Sequence, residues 1–148
     1  METSKRHPQG QGFLATGAIG AAVATAVNIA IYGIGRAAGV DYILTETSRV
    51  RVPDVVILSL MSFAIGLVAA AVAARWDRGL RALQVVGAAL AVISTWGDFT
   101  IDGSGAATAT LALMHLVVGA VYVTTLEGVR SRVTTAVVAR APADAVAL

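Results

Sequence analysis

Four apolar runs, at 13–35, 55–74, 82–97 and 106–126, fill most of this chain, and its charges are crowded into the short connectors between them. A bilayer core about 30 Å thick is crossed by roughly 20 apolar residues of helix, at about 1.5 Å per residue. Three runs meet that length. The third spans only about 24 Å as it stands and meets it if it continues to Ile101. The continuation brings Asp98 to or just below the membrane surface, where Arg36 or the neighbouring connector is expected to offset its charge. The chain therefore reads as an all-α membrane protein, an antiparallel bundle of four spans at about 13–35, 55–74, 82–101 and 106–126. Residues 1–12 and 127–148 form its two tails. With 57% hydrophobic and only 14% charged residues, too little polar surface exists to cover four such helices in water.

The first run exceeds the hydrophobic stretch of a secretory signal, so it reads as a retained helix behind Lys5 and Arg6. Orientation follows from Lys and Arg. One side holds Lys5, Arg6, Arg75, Arg78, Arg81, Arg130, Arg132 and Arg140, and the other holds Arg36, Arg49 and Arg51. Eight against three puts both termini in the cytoplasm, with the plasma membrane as the expected location.

The connectors differ in kind. Residues 75–81 form a tight basic turn, with Trp76 suited to the headgroup level. Residues 102–105 form a short turn on the opposite side. The longest connector, 36–54, contains polar and apolar residues alternating at 48–52, a weak strand signal that leaves a short strand or hairpin and an irregular loop both open. Pro53 suits the first turn of the second span, where a missing N–H costs nothing. The tail at 141–148 is expected to be disordered. Val129, Val133 and Val137, beside basic residues, are placed to extend the last helix along the interface.

Missing residue types exclude several chemistries. Without cysteine there is no disulfide exchange and no thiolate cluster or metal site. Of two histidines, His7 lies in a tail, so paired intramembrane haem ligands are lacking. No glycine-rich phosphate loop follows a strand, and the basic residues lack the interleaved aromatics of a nucleic-acid surface. No cofactor, no metal and no nucleic-acid partner are expected; the partners are the lipid bilayer and either a second copy or another membrane protein.

What remains is a small set of polar side chains inside the spans: Asn28 and Tyr32 in the first, Asp98 at the end of the third, and His115 near the middle of the fourth. Such groups are costly in lipid, by about 3 kcal/mol on insertion scales for a central charge, and should face the bundle interior. Each span offers a stripe of small or polar residues at three- and four-residue steps. They are Gly17, Ala21, Thr25, Asn28 and Tyr32; Ser59, Ser62, Gly66, Ala70 and Ala73; Gly87, Ala91, Ser94 and Asp98; and Thr108, Ala112, His115, Gly119 and Tyr122. Counted from the span midpoints, Asn28 and His115 lie within about 4–5 Å in height, so a direct or water-bridged bond between them is expected. Such a bond serves either as glue, worth about 0.6 kcal/mol, or as part of a polar site open to the outer side, with Asp98 nearby and Arg36 as charge partner.

Asn28 within Ala26, Val27, Asn28, Ile29, Ala30, Ile31 and Tyr32, followed by Arg36 and by Gly39, Val40 and Asp41, resembles the first span of an uncharacterised family of small four-helix actinobacterial membrane proteins. Leu111 to Val118, with its Met114 and His115 pair, looks like that family's last span. The resemblance implies the four-span layout and no known activity, so no catalytic residue is transferred. A non-enzymatic structural or accessory membrane component, associating through small-residue faces, is the leading expectation. The alternative is a small transporter or channel with an outward polar cavity at Asn28 and His115. Its size resembles that of four-helix multidrug exporters, but the acid of their first span has no counterpart here. A lipid-directed enzyme with His115 as base ranks third, because no nucleophile or metal partner is evident.

Overall fold

The computed structural model describes residues 8–45, 48–76, 78–99 and 104–138. They form four long helices and one small hairpin: α1 (Pro8–Ala37), β1 (Ile43–Thr45), β2 (Ser48–Arg49), α2 (Val52–Ala73), α3 (Gly79–Asp98) and α4 (Gly105–Val138). Among the described residues, four helical segments are long and apolar enough to cross a membrane: Gly12–Ala37, Val52–Ala73, Gly79–Asp98 and Gly105–Arg132. Their outward faces carry large apolar side chains such as Ile19, Ile34, Ile65, Ile93 and Trp96, all exposed in the isolated chain. A surface that apolar is suited to lipid, as is the helical backbone, which bonds within its own segment.

Local chemistry sets the ends. Pro8 opens α1, where the absent N–H would have had no helical partner. After α1 the chain turns at Gly39, whose φ of 83° is the left-handed conformation that glycine adopts without a Cβ clash. At the start of α2 the Asp54 Oδ2 accepts the Arg51 N–H at 2.8 Å, and Pro53 lies in the first turn as its sequence suggests. The connector does contain a hairpin: β1 and β2 pair antiparallel, Ile43 opposite Arg49 and Thr45 opposite Ser48. The α2–α3 turn is so tight that a Cβ on Gly79 would strike the Ala73 carbonyl. The α3 helix begins three residues before the expected third span, and the expected end at Ile101 lies outside the described residues, as does the tail at 141–148. At its other end α4 continues unbroken past the fourth span, with Leu126 and Val129 buried.

Rising numbers on α3 meet falling numbers on α4: Gln84 bonds Val123 and Glu127, Gly87 faces Tyr122, Gly119 abuts Ala91, and Asp98 meets His115. The same reversal relates α1 to α2, where Gly17 lies under Leu67, Gly20 under Phe63, and Asn28 bonds Ser59. It also relates α1 to α4, where Gly20 meets Thr125 and Thr16 accepts a bond from Arg132 at 2.6 Å. One end of the bundle therefore carries the hairpin, and the other carries the α2–α3 turn.

Two apolar clusters fill the interior. Toward the turn end lie Ala24, Phe63, Ala70, Tyr122 and Leu126, with Phe63 edge-on to Tyr122 at 5.8 Å. Toward the hairpin end lie Tyr42, Val55, Ala107 and Met114. Tyr42 stacks on Tyr32 at 4.6 Å, and its buried hydroxyl rests on Gly35. Burial pushes the Tyr42 phenol above the ordinary tyrosine range. Between the two clusters α1, α2 and α4 contribute polar residues at matching positions: Asn28, Ser59 and His115.

Candidate functional site

The polar residues between the clusters occur as two bonded pairs. In the first, Asn28 Nδ2 donates to Ser59 Oγ at 3.0 Å. In the second, His115 Nδ1 lies 3.0 Å from Asp98 Oδ2 and 3.1 Å from the Leu111 carbonyl oxygen. Both of those oxygens accept, so the proton belongs on Nδ1, and Nε2 is left to face outward from the pair. The contact is possible because each side chain leans toward the N-terminus of its own helix. Asp98 reaches back along α3 while His115 reaches toward the start of α4. The two side chains close on each other from different heights.

The direct bond expected between Asn28 and His115 is not formed. Matched depth fixes height along the bundle but not direction around each helix, and the Asn28 amide points to α2. Asn28 is 3% exposed, and its Oδ1 has no hydrogen-bond partner. Arg36 does not offset Asp98 either. It pairs with Asp41 five residues on, at 3.2 Å, in a half-exposed ion pair of the kind worth at most about 1 kcal/mol. Tyr32 is drawn away as well: its hydroxyl donates to the Val50 carbonyl at 3.1 Å, which ties the hairpin to α1.

Asn28, Asp98 and His115 nonetheless share a wall. A cavity of about 540 Å³ runs between α2 and α3, with α4 as its floor. From Leu83 to Asp98 it follows fifteen residue steps of α3, a length of about 22 Å. Aliphatic residues such as Leu58, Ile65, Val86 and Leu90 line most of it, and these are also exposed at the bundle surface. The cavity is therefore a groove open sideways, in the direction of the lipid. Apart from Tyr122, whose hydroxyl is bonded to the Gly66 carbonyl, its polar lining comes from Asn28, Ser59, Ser62, Ser94, Asp98 and His115, toward the hairpin half of the helices. Asp98 is 6% exposed, whereas the His115 side chain is 45% exposed because it faces the opening.

The groove exists because α3 leans on α4 far more than on α2. Tyr122 sets the local separation. Its ring lies against both Gly66 of α2 and Gly87 of α3, with hypothetical Cβ distances of 2.6 and 2.7 Å, and its hydroxyl donates to the Gly66 carbonyl at 2.8 Å. Of the groove's polar lining, Ser62 and Ser94 were legible only as members of small-residue stripes. The pairing of Ser59 with Asn28 carried no signal in the sequence beyond a shared small-residue face.

Among the described residues, no group of three or more His, Cys, Asp or Glu side chains is placed to hold a metal ion. The groove can take an apolar body with a polar end. The chain matches, over residues 8–132, the profile of a family of unknown function, DUF6069, and belongs to that family. No curated protein and no solved structure matches it.

Proposed function

We propose that this protein is a plasma-membrane protein of four antiparallel spans, with both termini cytoplasmic, that binds a small amphipathic molecule from the bilayer as a transporter or carrier without enzymatic activity. The observation that carries this reading is the groove: about 540 Å³, within the roughly 300–1,000 Å³ of small-molecule sites, apolar along its length and polar at one end. The reversed contact order between neighbouring helices and the eight-to-three distribution of Lys and Arg support the topology. Reporter fusions after Arg78 and after Leu148 should read cytoplasmic, and one near Glu46 external. An external signal at Arg78 would invert the topology.

The structural or accessory reading loses some of its surface. Gly66, Gly87 and Gly119 are taken up by Tyr122 and Ala91 inside the bundle, so those small-residue faces are not free to seat a partner. What still favours it is α3, whose outer face at Val85, Val92, Ile93 and Trp96 is bare and would suit a second copy or another membrane protein. Liposomes with and without the protein separate the two. Transbilayer movement of a fluorescent single-chain amphiphile should be faster in the loaded vesicles and should fall to background with His115→Ala. Equal rates with and without protein would leave the accessory role.

A further inference from the structure

We propose that the polar end of the groove recognises a cation, and that its ligand is a single-chain aliphatic amine bound as the ammonium. This rests on the groove being a binding site and adds the chemistry of the head group.

Three observations point the same way. Among the described residues that line the groove, Asp98 is the one carboxylate, and none is Lys or Arg. The charge is also badly placed without a cation. Asp98 is the last residue of α3, where the helix dipole presents its negative end, and the last turn of α3 holds no basic residue. Its partner among the described residues is His115, which supplies one hydrogen bond to Oδ2. A nearly buried carboxylate at a helix C-terminus with one such partner favours a positive ligand in surroundings that screen charge poorly.

The second polar group agrees. The Asn28 Oδ1 is an acceptor with no donor, in a side chain that lines the same groove and is 3% exposed. A buried acceptor left open asks for a donor from outside the protein. An ammonium offers three N–H donors and one positive charge; a carboxylate or phosphate head offers neither and would meet Asp98 as a like charge.

The rest of the groove selects the tail. It is about 22 Å long by helix rise and lined mainly by aliphatic side chains, so it suits one extended alkyl chain better than a compact ring system. Its sideways opening lets such a ligand enter from the hydrocarbon without leaving the membrane.

The test is equilibrium binding of radiolabelled dodecylamine, 1-dodecanol and dodecanoate to the full chain in zwitterionic phosphatidylcholine nanodiscs, with empty discs subtracted. Dodecylamine should bind saturably and at least tenfold tighter than dodecanol, with dodecanoate weakest. Asp98→Asn should remove the preference for amine while leaving dodecanol binding within threefold. If that variant does not fold, Asn28→Val should weaken dodecylamine at least threefold more than dodecanol. Dodecanol or dodecanoate binding as tightly as the amine, or amine binding indifferent to both substitutions, overturns the cation while the groove stands as an apolar site. No saturable binding of any of the three overturns both this proposal and the binding reading beneath it.

Discussion

The seam between α1, α2 and α4 is closed, and the seam between α2 and α3 is open, although both are built from Gly, Ala, Ser and aliphatic residues. In the closed seam each small residue meets a large one from the facing helix: Gly17 takes Leu67, Gly20 takes Phe63, and Gly66 takes Tyr122. In the open seam the facing residues are alike. Leu58 and Ile65 on α2 look toward Val86 and Leu90 on α3, and Tyr122 from a third helix holds the two backbones apart. Small residues let helices approach only when something fills the space they leave. Composition therefore predicts where approach is allowed, while complementarity decides where it happens.

Substitutions can break this comparison or sharpen it. The largest expected effect is Phe63→Ala, which empties the centre of the closed seam and should cost about 3–5 kcal/mol, read as a fall in thermal unfolding temperature in detergent. An effect under about 1 kcal/mol would mean that the closed seam is not the stabilising one. Next comes Gly66→Ala. The added methyl meets the Tyr122 ring at 2.6 Å, so overpacking should cost about 1–3 kcal/mol by the same measurement. Asn28→Ala removes one interhelical hydrogen bond and with it an open acceptor, and should cost only about 0.6 kcal/mol. Smallest of all, Leu90→Ala on the open seam should change stability by less than about 0.5 kcal/mol, because its side chain packs little within the fold. A loss comparable to that of Phe63→Ala would show that the groove is closed in the membrane.

The sequence makes some of this legible and not the rest. The four helices follow from the length of the apolar runs, which depends on backbone rise alone. The small stripes turn inward only in part: Thr25, Asn28, Ser59, Ala70, Thr108, Ala112 and Tyr122 are buried, whereas Ser62 and His115 are exposed along the groove. Partners are another matter. Arg36 finds Asp41 five positions away because a local ion pair needs no fold to form. Asn28 finds Ser59 and not His115 because azimuth around a helix is set by how ridges interlock, which residue counts do not contain. Asp98 finds His115, ten residues inside α4, a partner that spacing along the chain does not point to. The groove was the least legible feature, being a space between two helices that pack less closely than α1 with α2 or α3 with α4.

The short turn between α2 and α3 has a mechanical consequence. Gly79 packs against the Ala73 carbonyl, so the two helices are clamped together at that end. Each then acts as a rigid arm of 20 or more residues, about 30 Å from pivot to tip at the usual rise. A swing of about 5° at the pivot displaces the far tip by roughly 2.6 Å over such an arm. Asp98 sits at the tip of one arm and Ser59 toward the tip of the other. The leverage is therefore greatest where the polar groups lie, and a tilt too small to disturb the core beside the pivot would set the width of the gap at the head-group end.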